Sequence, residues 1–177
     1  MATLHGKNIT LRALEPEDLD FLFSTENNES FWEISGTQTP YSKHLLQKYI
    51  ENAHQDIYEA KQYRFVISNT ENVSIGMIDL FDFNPQHKRV GIGILILPKH
   101  QNKKYGAEAL ELLIDYVFTY LGIHQIYANI TTDNIKSIHL FEQFNFKKTG
   151  VKKDWVYTKN NFKDEFLYQL IRNENES

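Results

Sequence analysis

Apolar and polar residues change period several times along this chain, and each change marks an element. Asn8 to Ala13 alternates as a strand does, and Pro16 then suits the first position of a helix whose early acids Glu15, Glu17 and Asp18 favour the positive end of its dipole. That helix should end near Asn27-Asn28. Ser42 reads as the N-cap of a second helix, with Leu45, Leu46, Tyr49, Ile50, Ala53 and Ile57 forming one apolar stripe. Tyr63 to Ser68 is a short apolar run. After the turn-like Asn69 to Asn72, Val73, Ile75, Met77, Asp79, Phe81 and Phe83 alternate along one face of a long strand. A turn at Asn84-Pro85 leads to Val90 to Leu97, and these three strands predict an antiparallel meander.

Past Pro98 the spacing becomes helical. Leu110, Leu113, Ile114, Val117, Phe118 and Leu121 recur every three or four residues, and Gly122 stands where a helix C-terminus needs a left-handed residue. Ile126, Ala128 and Ile130 alternate as a strand. Thr131 to Asn134 offers capping side chains for a short helix over Ile135 to Phe144, closed by Asn145. Two final strands, Phe146 to Thr158 and Phe162 to Ile171, should meet at Asn160-Asn161, a pair that tolerates the positive φ of a tight hairpin turn. The pattern predicts one α+β domain over residues 1–172, built on a mixed, mostly antiparallel sheet of about seven strands with about four helices, and a disordered tail from Asn173 to Ser177.

Composition narrows the chemistry. Cysteine is absent, which removes disulfides, thiolate metal sites and any mechanism that parks an acyl group on a protein sulfur. The formal charge of −4, with lysines interspersed among carboxylates, gives no basic field for a nucleic-acid backbone. The first ten residues are polar and no long apolar run follows, so neither a membrane partner nor a secretory leader is expected and the chain reads as cytoplasmic. Seven histidines show no metal-ligand spacing, so no metal site is expected, and His124 and His139 read as surface residues.

One segment carries chemistry. Ile94-Leu95-Ile96-Leu97 is a buried strand, Gln101-Asn102-Lys103-Lys104 a basic loop, and Tyr105-Gly106-Ala107 the start of a helix. A helix N-terminus presents free N–H groups and a positive dipole end, Gly106 permits close backbone approach, and the lysines add charge. A diphosphate suits such a site; a solvated turn is the plainer reading of the loop taken alone.

Four fragments together give the loop a context: Leu11 to Leu19; Asn84 with His87-Lys88-Arg89; Gln101 to Leu110; and Asn134-Ile135-Lys136-Ser137-Ile138-His139-Leu140-Phe141. Their order resembles the GNAT acetyltransferase superfamily, within it the spermidine or diamine acetyltransferases and the ribosomal-protein N-terminal acetyltransferases. The resemblance implies an acetyl-CoA-dependent N-acetyltransferase whose strand at Ile94, Leu95 and Ile96 splays from the strand at Ile126 to Ile130. Pantetheine would lie in the gap. By the same resemblance, the pyrophosphate would rest on Asn102, Lys103, Lys104, Tyr105, Gly106 and Ala107, with Gln101, Asn134, Lys136, Ser137 and Phe141 also binding the cofactor. Asn134 can equally be a plain helix cap. The family's loop carries a glycine where this chain has Lys104, and its polyamine enzymes carry a tyrosine, the acid for the departing thiolate, where this chain has Phe141.

The resemblance also implies direct attack by a neutral amine on the thioester, with backbone N–H groups near Leu95 and Ile96 stabilising the oxyanion. A primary amine is mostly protonated at neutral pH, so a base is needed. Asp82 is the first candidate, because it breaks the apolar run of its strand and matches an acidic residue at the amine site of the spermidine enzymes. Asp79 and Glu33 are further candidates for holding a cationic substrate, and Trp155 with Tyr157 for walling its pocket. Each of these carboxylates also has a plain reading as a solvated surface group. Acid catalysis falls to Tyr105, Tyr127, a water, or no group at all. The acceptor is expected to be a small polyamine or diamine; a protein N-terminus, another amine, or a non-catalytic acyl-CoA-binding role are the alternatives, and self-association into a homo-oligomer is left open.

Overall fold

The computed structural model describes residues 4–173, so all but the first residue of the tail expected to be disordered lies outside the described part. Among the described residues, seven strands form one sheet in the order β1-β2-β3-β4-β5-β7-β6. They are β1 (Ile9–Arg12), β2 (Tyr63–Asn69), β3 (Ser74–Asn84), β4 (Arg89–Ile96), β5 (Gln125–Thr131), β6 (Lys147–Thr158) and β7 (Asn161–Ile171). All neighbours run antiparallel except β4 and β5.

The four expected helices are α1 (Leu19–Glu26), α3 (Lys43–Asn52), α5 (Tyr105–Asp115) and α6 (Ile135–Gln143). Two single turns, α2 (Trp32–Ser35) and α4 (Ile57–Ala60), join them. The apolar stripe read through Ile57 therefore belongs to two helices: α3 stops at Asn52, and Asp56 restarts the chain as an N-cap, its carboxylate accepting from Tyr58 N at 2.6 Å. Ser42 caps α3 as its sequence predicts, accepting from Leu45 N at 3.1 Å. Asp18 does more than face a helix dipole. It is buried, it accepts from Glu15 N, and it takes a bidentate pair from Arg12 at 2.7 and 2.8 Å, pinning α1 to β1. Burial pushes its carboxyl up, but these hydrogen bonds win and hold it below the ordinary carboxylate range.

The two faces of the sheet bury different cores. On one, Ile78, Leu80, Val90 and Ile92 pack with Leu110, Leu113 and Val117, which lie on α5 and the π-helical turn Tyr116–Tyr120 that continues it. On the other, Met77 packs with Leu22, Leu46 and Ile50 of α1 and α3. The alternation read along β3 is broken at both ends. Ile75 is an extra residue between the pairs Ile67↔Gly76 and Ser68↔Ser74, and Asp82 lies in a second bulge between Phe81↔Gly91 and Asn84↔Arg89. Each bulge flips the side-chain period. Ile75 and Phe83 join the α5 core, leaving Met77, Asp79 and Phe81 on the other face.

Gly122 (φ 61°) and Asn145 (φ 65°) adopt the left-handed conformation their positions predict. The final hairpin turns one residue earlier than its sequence suggests. Thr158 pairs with Asn161, and Lys159 (φ 48°) and Asn160 (φ 61°) form the two-residue loop. Two successive positive φ values match the twist of the flanking strands.

Candidate active site

The parallel pair at the centre of the sheet opens into a fork. β4 and β5 are joined only at Arg89↔Gln125, Val90↔Ile126 and Gly91↔Tyr127. Beyond that vertex β4 stays paired with β3 as far as Ile96, and β5 stays paired with β7 as far as Thr131. The inner edges of both strands thus point backbone N–H and C=O groups into the gap, where a ligand with amide groups can satisfy them.

Three elements converge at the open end. Gln101 donates from Nε2 to the Ile96 carbonyl at 3.0 Å, closing the tip of β4, and its Oε1 accepts from Lys136 on α6 at 3.2 Å. Asn102 (φ 61°) and Lys104 (φ 65°) both take left-handed backbone, turning the chain sharply into α5. Lys104 occupies the conformation that a glycine would hold without strain, at a cost of about 1 kcal/mol. The first helical bond runs from Glu108 N to Lys104 O at 3.1 Å, so the amides before it form the free N-terminus of α5. Gly106 sits in this first turn. A Cβ there would make only ordinary contacts, at 3.6 Å from Ile96 and Leu140, so packing within the chain does not require glycine. The missing side chain instead leaves a cradle beside the free amides. Burial, Lys99 and Lys103 hold His100 below its usual pKa, as a field that attracts anions does. A backbone-lined gap ending in a basic helix N-terminus fits a diphosphate joined to an amide-bearing arm.

The fork brings together the predicted cofactor residues of β4, the loop and α6. Ile94 and Ile96 flank Gly106, and Lys136 reaches the loop. Asn134 caps α6, accepting from Ser137 N at 3.3 Å, so the plain role is filled. Phe141 is buried in the α5 core, edge-on to Phe146 at 5.0 Å.

The opposite face of the vertex is built from side chains. Gly91 and Gly93 alternate along β4, and the Phe81 ring lies over them: a Cβ on Gly91 would fall 2.3 Å from it. This ring stands perpendicular to that of Tyr127 on β5, with centroids 5.8 Å apart and an interplanar angle of 88°. Asp82, exposed and at φ 48°, accepts from Tyr127 Oη at 3.3 Å. Burial and the Asp82 carboxylate push the Tyr127 hydroxyl up to about 12. A Gly-x-Gly inside a strand signals close approach by another group, a clue that Gly91 and Gly93 carry in the sequence.

The other acceptor candidates are already paired. Asp79 takes two hydrogen bonds from Arg64, at 2.8 and 2.7 Å, and Glu26 joins the same guanidinium. Burial works against that charge, yet Asp79 and its neighbours hold the Arg64 proton more firmly than usual. Glu33 is paired with Lys163, which also contacts Asp133 at 2.6 Å. Asp79 and Glu33 are therefore not free carboxylates awaiting a cation. Trp155 stands on the protruding β6–β7 hairpin, 59% exposed with Lys152 over its ring at 4.8 Å, rather than in a closed pocket. A cavity of about 740 Å³ lies elsewhere, between α5, the start of β6 and the end of β7. The fork, by contrast, combines free backbone, a helix N-terminus and a glycine cradle.

Comparison with known proteins agrees with this geometry. Residues 8–147 match the acetyltransferase (GNAT) domain. The spermidine N(1)-acetyltransferase of Vibrio cholerae serotype O1 is 32% identical over 148 residues, covering 82% of each chain. The solved structure of spermidine N-acetyltransferase from Vibrio cholerae with CoA and spermine superposes with a TM-score of 0.85 at 26% identity, over 94% of this chain and 96% of that one. A dodecameric structure of the Vibrio cholerae enzyme gives 0.81 at 28% identity, over 97% and 98%. With a matching domain over most of its length and a fork fitted to CoA, this chain belongs to the GNAT family and is an acetyl-CoA-dependent N-acetyltransferase.

Proposed function

We propose that the acceptor is a small polyamine or diamine, and that Asp82 receives the proton its amine gives up. The observation that carries this reading is an exposed carboxylate at the vertex of the fork, beside two aromatic rings, on the face opposite α5. Charge adds to it. The Arg64 and Lys163 clusters each set two carboxylates against one cation, leaving a net negative charge in each, to which Asp82 adds its own. Such a field attracts a polycation and disfavours an uncharged acceptor.

In this reading the donor is held by Ile94, Leu95 and Ile96, by residues 101–107, and by Lys136 and Ser137, with the amides near Leu95 and Ile96 serving the oxyanion. The aromatic rings of Phe81 and Tyr127 favour an ammonium or its free base by cation–π and apolar contact. Similarity to the Vibrio cholerae spermidine N-acetyltransferase supports the substrate class, and its dodecameric structure supports a homo-oligomer here. The β6–β7 hairpin, with Trp155, Tyr157 and Phe162 more than half exposed, offers apolar surface for a second copy.

Thiol release from acetyl-CoA, measured over a panel of spermidine, spermine, short diamines, peptides with free N-termini and aminoglycosides, tests the proposal. The expected result is the highest kcat/KM with a polyamine. Preference for a peptide would reassign the acceptor, and CoA binding without turnover of any amine would leave a binding module.

A further inference from the structure

Resting on the reading of Asp82 as proton acceptor, we infer that Tyr127 is the relay through which the attacking amine passes its proton to Asp82. Asp82 sits in a bulge on the exposed rim, while Tyr127 occupies the last paired position of β4 and β5, opposite Gly91. Its side chain therefore lies at the vertex itself, on the acceptor face with Phe81. The hydroxyl donates to Asp82 Oδ2 at 3.3 Å, a long bond of the kind that tightens when substrate closes a site. The Phe81 ring, wedged over Gly91 and Gly93, packs perpendicular to the ring of Tyr127.

Tyr127 stays protonated across the working pH range, because burial and Asp82 outweigh the opposing charge of Arg89 on β4. It cannot act as a base alone, but it can accept one proton while giving up another. The step balances as follows. The neutral amine nitrogen bonds to the thioester carbon; its N–H proton moves to Tyr127 Oη as the phenolic proton moves to Asp82 Oδ2. The C–S bond then breaks with its electron pair on sulfur, the thiolate takes a proton from water, and exposed Asp82 returns its proton to solvent. Phe141 has no part in this path, so the acceptor side needs nothing from the position where the polyamine enzymes carry their tyrosine.

A double-mutant cycle on the full chain tests the relay, with the best polyamine as acceptor. Tyr127→Phe keeps the aromatic ring and removes only the hydroxyl. We expect kcat to fall about 100-fold with CoA affinity and amine KM unchanged, and Asp82→Asn added to it to cost no more than two-fold further, because the two groups act as one unit. A Tyr127→Phe kcat within two-fold of the parent, or losses that multiply in the double variant, would overturn the relay while leaving the acetyltransferase reading intact. A parent enzyme that turns over no polyamine would sink both.

Discussion

In the proposed reading, the two sides of the fork recognise their ligands by different means. The donor side is built from backbone: the unpaired edges of β4 and β5, two left-handed residues and the free amides of α5. Its side chains mostly stand aside. The acceptor side is built from charged and aromatic side chains, which meet across elements distant in sequence. A backbone site tolerates sequence drift provided the chain conformation survives, which is how a lysine can replace glycine at position 104. A side-chain site changes its ligand with every substitution. This contrast accounts for a shared acyl donor and divergent acceptors on one fold.

Breaking the acceptor side at its deepest point should cost most. Arg64→Met leaves Asp79 and Glu26 without their cation, with Arg64 side-chain exposure only 20% and Glu26 13%. We expect a loss of about 3 kcal/mol, discounted for the more exposed Asp79, and a Tm lower by roughly 6–12 °C. The folded fraction should bind CoA as before. A Tm within 2 °C of the parent in differential scanning calorimetry would show that the network contributes little.

On the donor side, Gly106→Val fills the cradle beside the α5 amides and should raise the CoA Kd about 100-fold, as loss of one or two charge-assisted hydrogen bonds would. Gly106→Ala sharpens the point. It should raise the Tm of the free protein, since glycine in a helix costs roughly 0.5–1 kcal/mol relative to alanine, while still weakening CoA. An unchanged Kd in either folded variant, read by calorimetric titration, would move the pyrophosphate elsewhere.

The smallest expected effect concerns Lys104. With φ at 65°, Lys104→Gly should relieve about 1 kcal/mol of strain and raise Tm by roughly 2–4 °C. A lowered Tm would mean that the lysine side chain stabilises the loop more than its backbone strains it.

The same contrast explains what could be read from the amino-acid order. β4, the loop, α5, β5 and α6 were legible because their periods change cleanly and Gly122, Asn134 and Asn145 punctuate them. The acceptor side was not. Its bulges at Ile75 and Asp82 insert one residue each into a regular alternation, which a period-two reading cannot anticipate. Arg64 pairs with residues 38 and 15 positions away, and Tyr127 meets Asp82 across 45. Asp79 and Glu33 looked available as isolated carboxylates because their cations arrive from other strands. Asp82 stood out only as a polar residue in an apolar run, and its exposure follows from the bulge.

The most direct test of the account is a paired measurement on Asp82→Asn: CoA affinity by calorimetric titration and kcat/KM for a polyamine by thiol release, from pH 6 to 9. The account predicts an unchanged CoA Kd with kcat/KM lower by roughly 10- to 100-fold at every pH, because the donor side is intact and the proton acceptor is gone. Equal kcat/KM for variant and parent across that range would contradict it and return Asp82 to the solvated surface.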